Sequence, residues 1–176
     1  MHDDHALSQL ITEIAAGGHQ AFEVLYRATA PIIYRYLAAR GIEESARWDV
    51  LQEVYLAVWR NARSFQGSAA AAWIFGIARH KLHDSFRRRQ DEFLDDWDAL
   101  AGSEDSDPGY QAARAGEILS ALTPPDRELA HLVFVEDLGY ADVAEILQIP
   151  VGTVKSRVFR LRKILQEQER KAYAER

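Results

Sequence analysis

The sequence predicts an all-α protein built as two small helical domains. Three observations carry that expectation. Apolar residues recur at three- and four-residue spacing along most of the chain, the mark of amphipathic helices. No stretch of any length alternates apolar and polar residues as a strand does. Between Asp91 and Tyr110 the helical pattern gives way to an acidic stretch with Gly102, Ser103, Ser106, Pro108 and Gly109, the composition of a linker. A chain of 176 residues holds one ordinary domain or two small ones. The breaks divide this one into a helical domain over residues 1–90, a linker over 91–113 and a second helical domain over 114–176.

The first helix is expected from near Leu7, resuming after Gly17-Gly18 at about Gln20, with Phe22, Leu25, Tyr26, Ile33, Tyr36 and Leu37 as core. Pro31 removes a donor and crowds the previous turn, so it is expected to kink or restart this helix. Gly41 supplies a C-cap. A second helix over Glu43 to Ala62 turns Val50, Leu51, Val54, Tyr55 and Val58 inward, with Asp49, Gln52, Glu53 and Arg60 off that face. Asn61 to Gly67 reads as a loop. Ser68 then caps a third helix, which carries Trp73, Ile74, Ile77, Ala78 and Leu82 on one side and ends in Arg87-Arg88-Arg89. Phe93, Leu94, Trp97 and Leu100 are unusually apolar for a linker and suit a short helix that docks elsewhere. A helix from Ala112 to Leu122 follows. Thr123-Pro124-Pro125-Asp126 has the form of a helix start: an N-cap, prolines in the first turn, an acid three after the cap. The helix it opens, to about Val135, buries Leu129, Leu132 and Val133.

Gly139 to Leu165 then gives two helices joined by a short turn. Val143, Ala144, Ile146 and Leu147 form the apolar face of the first. Gln148-Ile149-Pro150 ends it, because the residue before proline is pushed out of the α region. From Gly152 the stripe resumes with Val154, Val158, Leu161 and Leu165, and Lys155, Arg157, Arg160, Arg162 and Lys163 fall largely between those positions. Such a pair is either an αα-hairpin with a solvated charged face or a helix-turn-helix whose second helix enters a major groove. No acidic residue lies between Val151 and Leu165, and ordinary solvated helices mix their signs. That tilts the reading toward DNA.

Composition narrows the rest. Net charge is −6, which argues against a free-standing DNA binder with a basic surface. The excess is local, with eight acidic residues and no Lys or Arg from Asp91 to Ala113, between basic runs at Arg79–Arg89 and Lys155–Lys163. The absence of cysteine removes disulfides and thiolate zinc sites. The acidic start MHDDHALSQL has no signal-peptide core, and the apolar stretch from Ser68 to Ala78 falls short of the roughly 20 residues of a membrane span, so a soluble protein is expected. Material for an enzyme is poor. His80-x-x-His83-Asp84 has metal-ligand spacing but sits in a basic run that repels cations. Glu128-x-x-His131 is half of a di-iron pattern without its second copy, and neither a phosphate loop nor a nucleophile elbow occurs. No catalytic residue, cofactor or metal is expected.

With these pieces laid out, the sequence resembles the bacterial sigma-70 family, in its small two-domain extracytoplasmic-function (ECF) branch. Over Leu122 to Leu165 the specific part is Pro150-x-Gly-Thr-Val-Lys-Ser-Arg157, which looks like the start of the region 4 recognition helix. Asp49-Val-Leu-Gln-Glu-Val-Tyr55, followed by Trp59, resembles the region 2 helix that docks on the polymerase clamp. Ala72-Trp-Ile-Phe-Gly-Ile-Ala-Arg79, with Asp84 and Arg87-Arg88-Arg89, resembles the helix that meets the −10 element. Three positions depart from the usual pattern. Gln148 stands where glycine is frequent in the turn, Gly139 where Ser or Thr usually caps, and His80 where Asn is common.

The resemblance implies a non-enzymatic, cytoplasmic bacterial protein that binds core RNA polymerase through its beta and beta-prime subunits, selects a promoter and helps open it. Asp49, Gln52, Glu53, Tyr55 and Trp59 would meet the polymerase. Phe65, Arg79, His80, Lys81, Arg87, Arg88 and Arg89 would meet the −10 element, where an extracted base is held by aromatic and cationic groups. Phe65 reads equally as a core lid, and Trp73 as core rather than a stacking platform, since it shares a stripe with Ile77. Thr153, Lys155, Ser156, Arg157 and Arg160 would meet the −35 element, with Arg162 and Lys163 on phosphates. The acidic linker is either a solvated tether or, by the resemblance, a strand threading the polymerase channel. An anti-sigma factor is an expected partner. The rival reading is a helix-turn-helix regulator that binds a palindromic operator as a dimer.

Overall fold

The structure is a computed structural model describing residues 4–67, 69–92 and 122–174, with the side chains of 89–92, 168–169 and 171–174 excepted. Its internal contacts divide the chain into two units, Met1–Ser103 and Glu104–Arg176. Seven α-helices and no strand occur among the described residues.

The first unit holds α1 (Asp4–Ala15), α2 (His19–Ala39), α3 (Glu44–Asn61) and α4 (Ala70–Glu92), with a 3₁₀ turn at Ala62–Ser64. Helix α1 packs on α2 and α4, and α3 packs on both of the same neighbours. Leu25, Ile33, Leu37, Val54, Val58, Ile74 and Leu82 are buried at the helical spacing that marked them, and Leu7, Ile11 and Ile14 of α1 join them in the core. A fully buried side chain of this size contributes about 1.5–3 kcal/mol. Where α1 ends, Gly17 has φ 95°, the Gly17 N–H bonds to Ile14 O and the Gly18 N–H to Glu13 O. These paired bonds satisfy carbonyls the helix leaves open. Gly41, at φ 81°, closes α2 in the same way through Ala38 O and Leu37 O.

Three boundaries differ from expectation. Helix α1 starts at Asp4, earlier than Leu7, and the Asp4 carboxylate reaches across to α4. Its Oδ1 accepts the Ala71 N–H at 2.8 Å and so caps α4. The expected cap, Ser68, lies outside the described residues. Helix α2 runs unbroken through Pro31, which therefore does not restart it. Pro31 and Arg27, whose carbonyl loses its partner there, both face solvent, where water takes over that bond. Helix α4 continues to Glu92, past the basic run, into what reads as the start of the linker.

The second unit holds α5 (Pro124–Ala130), a wide π-helical turn over His131–Val135, α6 (Tyr140–Leu147) and α7 (Val151–Ala174). Thr123 caps α5 as expected. Its Oγ1 accepts the Asp126 N–H at 3.4 Å and donates to Asp126 Oδ2 at 3.0 Å. The wide turn is closed by the Glu136 N–H on His131 O and by His131 Nε2 beside Glu136 Oε1, each at 3.1 Å. Leu129, Leu132, Val133, Val143, Ala144, Ile146, Leu147, Val154, Val158 and Leu161 make one core. The turn between α6 and α7 is a non-glycine version of the α1 and α2 endings. Gln148 has φ 54° and ψ 44°, its N–H bonds to Glu145 O, and the Ile149 N–H bonds to Ala144 O. Gly139 precedes α6 with no side-chain cap. The helix expected over Ala112 to Leu122 lies outside the described residues, apart from Leu122, which is buried.

Candidate nucleic-acid interface

Helix α7 is oriented by its apolar stripe. Val154, Val158 and Leu161 face the core made by α5 and α6, so the opposite side of the helix faces outward. That side carries Gly152, Ser156, Phe159 and Lys163, one turn apart, with Lys155 and Arg162 exposed on a flank. Thr153 and Arg157 are half-buried on the other flank, and Arg160 is exposed beside them. The Ser156 hydroxyl donates to Thr153 O at 3.0 Å, which leaves its oxygen to accept from outside. Phe159 is 64% exposed, and Lys163 Nζ lies 5.1 Å from its ring centroid. A solvated cation over an aromatic face gains about 0.5–1 kcal/mol, enough to bias the Lys163 rotamer. Sequence reasoning passed over Phe159. The available signal was an apolar residue out of register with the buried stripe.

Of the basic groups on α7, Arg160 has a fixed partner. Its Nη2 donates to Asp126 Oδ2 at 2.9 Å and Oδ1 at 3.1 Å, across from α5. The Asp126 carboxylate is nearly buried while the guanidinium is 58% exposed, so the pair is anchored at one end only.

In the first unit the basic run of α4 is threaded with carboxylates. Asp84 Oδ2 lies 3.1 Å from His80 Nδ1, and Asp84 Oδ1 accepts from Arg87 at 2.7 Å. Arg88 donates to Glu53 Oε1 of α3 at 2.8 Å. Glu53 and Arg88, expected to serve different partners, are thus joined to each other. Arg79 and Lys81 are half-buried, and the Arg89 side chain is outside those described. Phe65 rests against Trp73, with ring centroids 5.3 Å apart, and both are half-buried. Phe65 is therefore packed against Trp73 and only partly open to solvent.

Asp49 and Gln52 are exposed on α3, next to Trp48 at 58% and Leu56 at 45% exposure. With Phe22, Tyr26 and Tyr55 these groups line a groove of about 420 Å³. Trp48 and Leu56 were missed because they lie off the buried stripe, where apolar residues carry no periodic signal. Tyr55 is a correction. It is 2% exposed, and its phenol meets Thr29 Oγ1 at 2.6 Å. Thr29 gives its proton to Leu25 O at 2.7 Å, so Tyr55 is the donor of the pair. Burial pushes the Tyr55 phenol well above its ordinary pKa, and the Thr29 bond offsets part of that. Tyr55 is a core residue because the apolar spacing that marked it as core governs its side chain. Trp59 is half-buried, stacked on His19 at 4.9 Å and set edge-on to Phe22 at 5.3 Å.

Among the described residues no helix is long and apolar enough to cross a membrane.

Comparison with known proteins gives a consistent result across both units. The model of sigma-70 region 2 matches residues 25–92, and that of sigma-70 region 4 matches residues 113–165. The chain is 33% identical over 175 residues to the ECF RNA polymerase sigma factor SigC of Mycobacterium tuberculosis (strain CDC 1551 / Oshkosh), covering 93% of this chain and 91% of the relative. It is 33% identical over 149 residues to the ECF RNA polymerase sigma factor RpoE of Cereibacter sphaeroides, covering 78% and 80%. Among solved structures it is similar to the sigma factor RpoE of Bartonella quintana in complex with the anti-sigma factor NepR. The TM-score is 0.72 at 26% identity, over 85% of this chain and 96% of that one.

Proposed function

The chain belongs to the sigma-70 family of RNA polymerase sigma factors, in its ECF branch, and from that premise we propose which residues carry each step of promoter recognition. As an ECF sigma factor it binds core RNA polymerase, directs it to promoters and assists initiation. Residues 1–90 would serve as region 2, 91–113 as the linker and 114–176 as region 4.

The observation that carries the reading is the outward face of α7. A helix-turn-helix core holds that face away from α5 and α6; Lys155, Ser156, Arg160, Arg162 and Lys163 are exposed on it and its flanks and Arg157 is half-buried beside it, with no acid between Val151 and Leu165. A helix of this width enters a major groove, where arginine reaches guanine O6 and N7 and lysine reaches phosphates. These residues and Thr153 are assigned to the −35 element.

On α4, Arg79, His80, Lys81, Arg87, Arg88 and Arg89, with the partly open Phe65, are assigned to the opened −10 strand. Aromatic rings and cations are what single-strand capture uses. The groove at Trp48, Leu56, Asp49 and Gln52 is assigned to core polymerase, with Trp59 behind it. An apolar anchor ringed by acceptors is the pattern of an interface hot spot. Tyr55 lines the floor of this groove but is only 2% exposed, so it is assigned to supporting the contact and not to making it. The complex of the Bartonella relative with an anti-sigma factor supports a partner of the same kind for this chain. The bacterial cytoplasm, where core polymerase works, is the compartment this role requires. The acidic linker is assigned to the polymerase channel; unchanged initiation and promoter escape after deleting residues 95–107 would remove that assignment.

The test is run-off transcription from a genomic fragment library with bacterial core polymerase, with and without this chain. Discrete new transcripts sharing two upstream elements are expected. No transcripts, together with tight footprints by the chain alone, would mean a conventional helix-turn-helix regulator instead.

A further inference from the structure

Phe159 is the most exposed large apolar side chain among the described residues, at 64%, and the residue assignments above give it no role. A single exposed apolar group is ordinary on a protein surface. This one is set apart by its position. It stands on the side of α7 that faces away from the buried Val154, Val158 and Leu161, between Ser156 and Lys163. Lys155 and Lys163 lie one turn to either side of it, and Arg162 is exposed three residues on. An apolar ring is thus enclosed by groups that suit a polyanion.

The chemistry of the ring decides what it can recognise. Phenylalanine has no hydrogen-bonding group, so it cannot read the donors and acceptors of a base edge. The apolar group that a major groove presents is the 5-methyl of thymine, and aromatic or small apolar side chains are what meet it. Lys163 Nζ lies 5.1 Å from the ring centroid. A cation over one face of the ring steadies it and leaves the other face and the edge open. Along the helix Phe159 lies roughly 4.5 Å beyond Ser156, a little more than one base-pair step of about 3.4 Å. It therefore meets a different base pair from Ser156. A protein partner that covered the ring would take up Lys155, Arg162 and Lys163 with it and would need an acidic surface. Duplex DNA brings phosphates and a methyl group together.

We propose that Phe159 is a specificity-determining residue of promoter recognition, making apolar contact with the 5-methyl group of one thymine in the upstream element. The inference rests on the assignment of α7 to that element. An exposed ring that merely tolerates solvent would not depend on whether one base carries a methyl group.

The experiment uses holoenzyme assembled from core polymerase and the full chain. Promoter fragments recovered by run-off selection carry deoxyuridine in place of one upstream thymine at a time, on either strand, and competition binding is measured. The adenine–uracil pair keeps every hydrogen-bonding group and lacks only the methyl. The parent is expected to lose roughly three- to fivefold in affinity at one position, the worth of one methyl group taken out of an apolar contact. Phe159→Ala should bind the unmodified fragment more weakly by at least that factor and become indifferent to deoxyuridine there. Its response at the other positions should match the parent's. Phe159→Leu, which keeps apolar bulk, should retain part of the preference. Lys163→Ala should weaken all fragments alike and lower the salt dependence by about one phosphate contact, with the deoxyuridine effect still present. Because the ring is exposed, F159A should melt as the parent does, which separates loss of contact from loss of fold. A parent indifferent to deoxyuridine at every position, or a deoxyuridine effect that survives in F159A, would overturn the proposal. So would an F159A that binds promoter as the parent does and fails only with an acidic protein partner. If the parent holoenzyme is also insensitive to outright replacement of every upstream base pair, the underlying assignment of α7 fails instead, and the two failures are distinct.

Discussion

Replacing Gln148 by glycine should make the second unit more stable, although glycine normally weakens a helical protein. The turn between α6 and α7 holds Gln148 at φ 54° and ψ 44°. In that region the Cβ of an L-residue crowds the following carbonyl, at a cost of about 1–2 kcal/mol. Glycine has no such crowding but loses more freedom on folding, roughly 0.5–1 kcal/mol relative to a residue with a side chain. The Gln148 side chain faces solvent, and both turn bonds, to Glu145 O and Ala144 O, come from the backbone, so the substitution removes no contact. The difference leaves Q148G more stable by about 0.5–1 kcal/mol. Native-state hydrogen exchange reads this locally. The slowest amides of α6 and α7 should exchange about two- to fivefold more slowly in Q148G, at 1.36 kcal/mol per factor of ten. Gly41 gives the reverse test, because a Cβ built there meets nothing within 4 Å and only its φ of 81° stands against a side chain. Gly41→Ala should therefore speed exchange in the first unit by more than Q148G slows it in the second. Equal or faster exchange in Q148G, or a G41A variant as stable as the parent, would refute the argument from turn strain.

Asp4→Ala should cost about 0.5–2 kcal/mol of first-unit stability in urea unfolding, the usual worth of an N-cap, though only one carboxylate at the far end of the sequence is touched. Tyr55→Phe removes the donor to Thr29 Oγ1, whose own proton stays bonded to Leu25 O, so it should cost about 0.5–1.5 kcal/mol at neutral pH. The parent should also lose stability as pH rises above about 10, where the unfolded phenol ionises and the buried one resists. A raised folded pKa gives stability that is complete below the unfolded value and lost above it, so Y55F should show a flatter alkaline limb in pH-dependent melting. Glu53→Gln breaks an ion pair whose members are 33% and 56% exposed, so thermal unfolding should move by less than about 1 kcal/mol. A larger loss in holoenzyme assembly, measured by titration with core polymerase, would then report contact between Glu53 and the polymerase.

What could be read from the sequence was whatever is local in it. The apolar stripes of α3, α6 and α7 place Val54, Val58, Val143, Ile146, Val154 and Val158 in the core because burial and helical period are the same signal. The Thr123 cap was legible because its partner is three residues away. Asp4 on Ala71, Glu53 on Arg88 and Asp126 on Arg160 were not, since those partners lie 67, 35 and 34 residues apart and no spacing rule joins them. They also change the site. Charges that looked free on a helical wheel are committed to a neighbouring helix. The exposed Trp48 and Phe159 escaped for the opposite reason: a lone apolar residue off the stripe is ordinary on any surface.

The carboxylate of Asp4 also sets an order of events during synthesis. Helix α1 leaves the ribosome first, and Leu7, Ile11 and Ile14 find their full cover only once α2 and α4 have arrived. The amide that Asp4 caps is made 67 residues later, which at typical elongation rates of 5–20 residues per second is a wait of roughly 3–13 s. For that interval the nascent chain carries an apolar stripe that at most α2 can cover in part. The same bond that completes α4 therefore closes the first unit, and the helix bearing the basic ridge is the last piece to be secured.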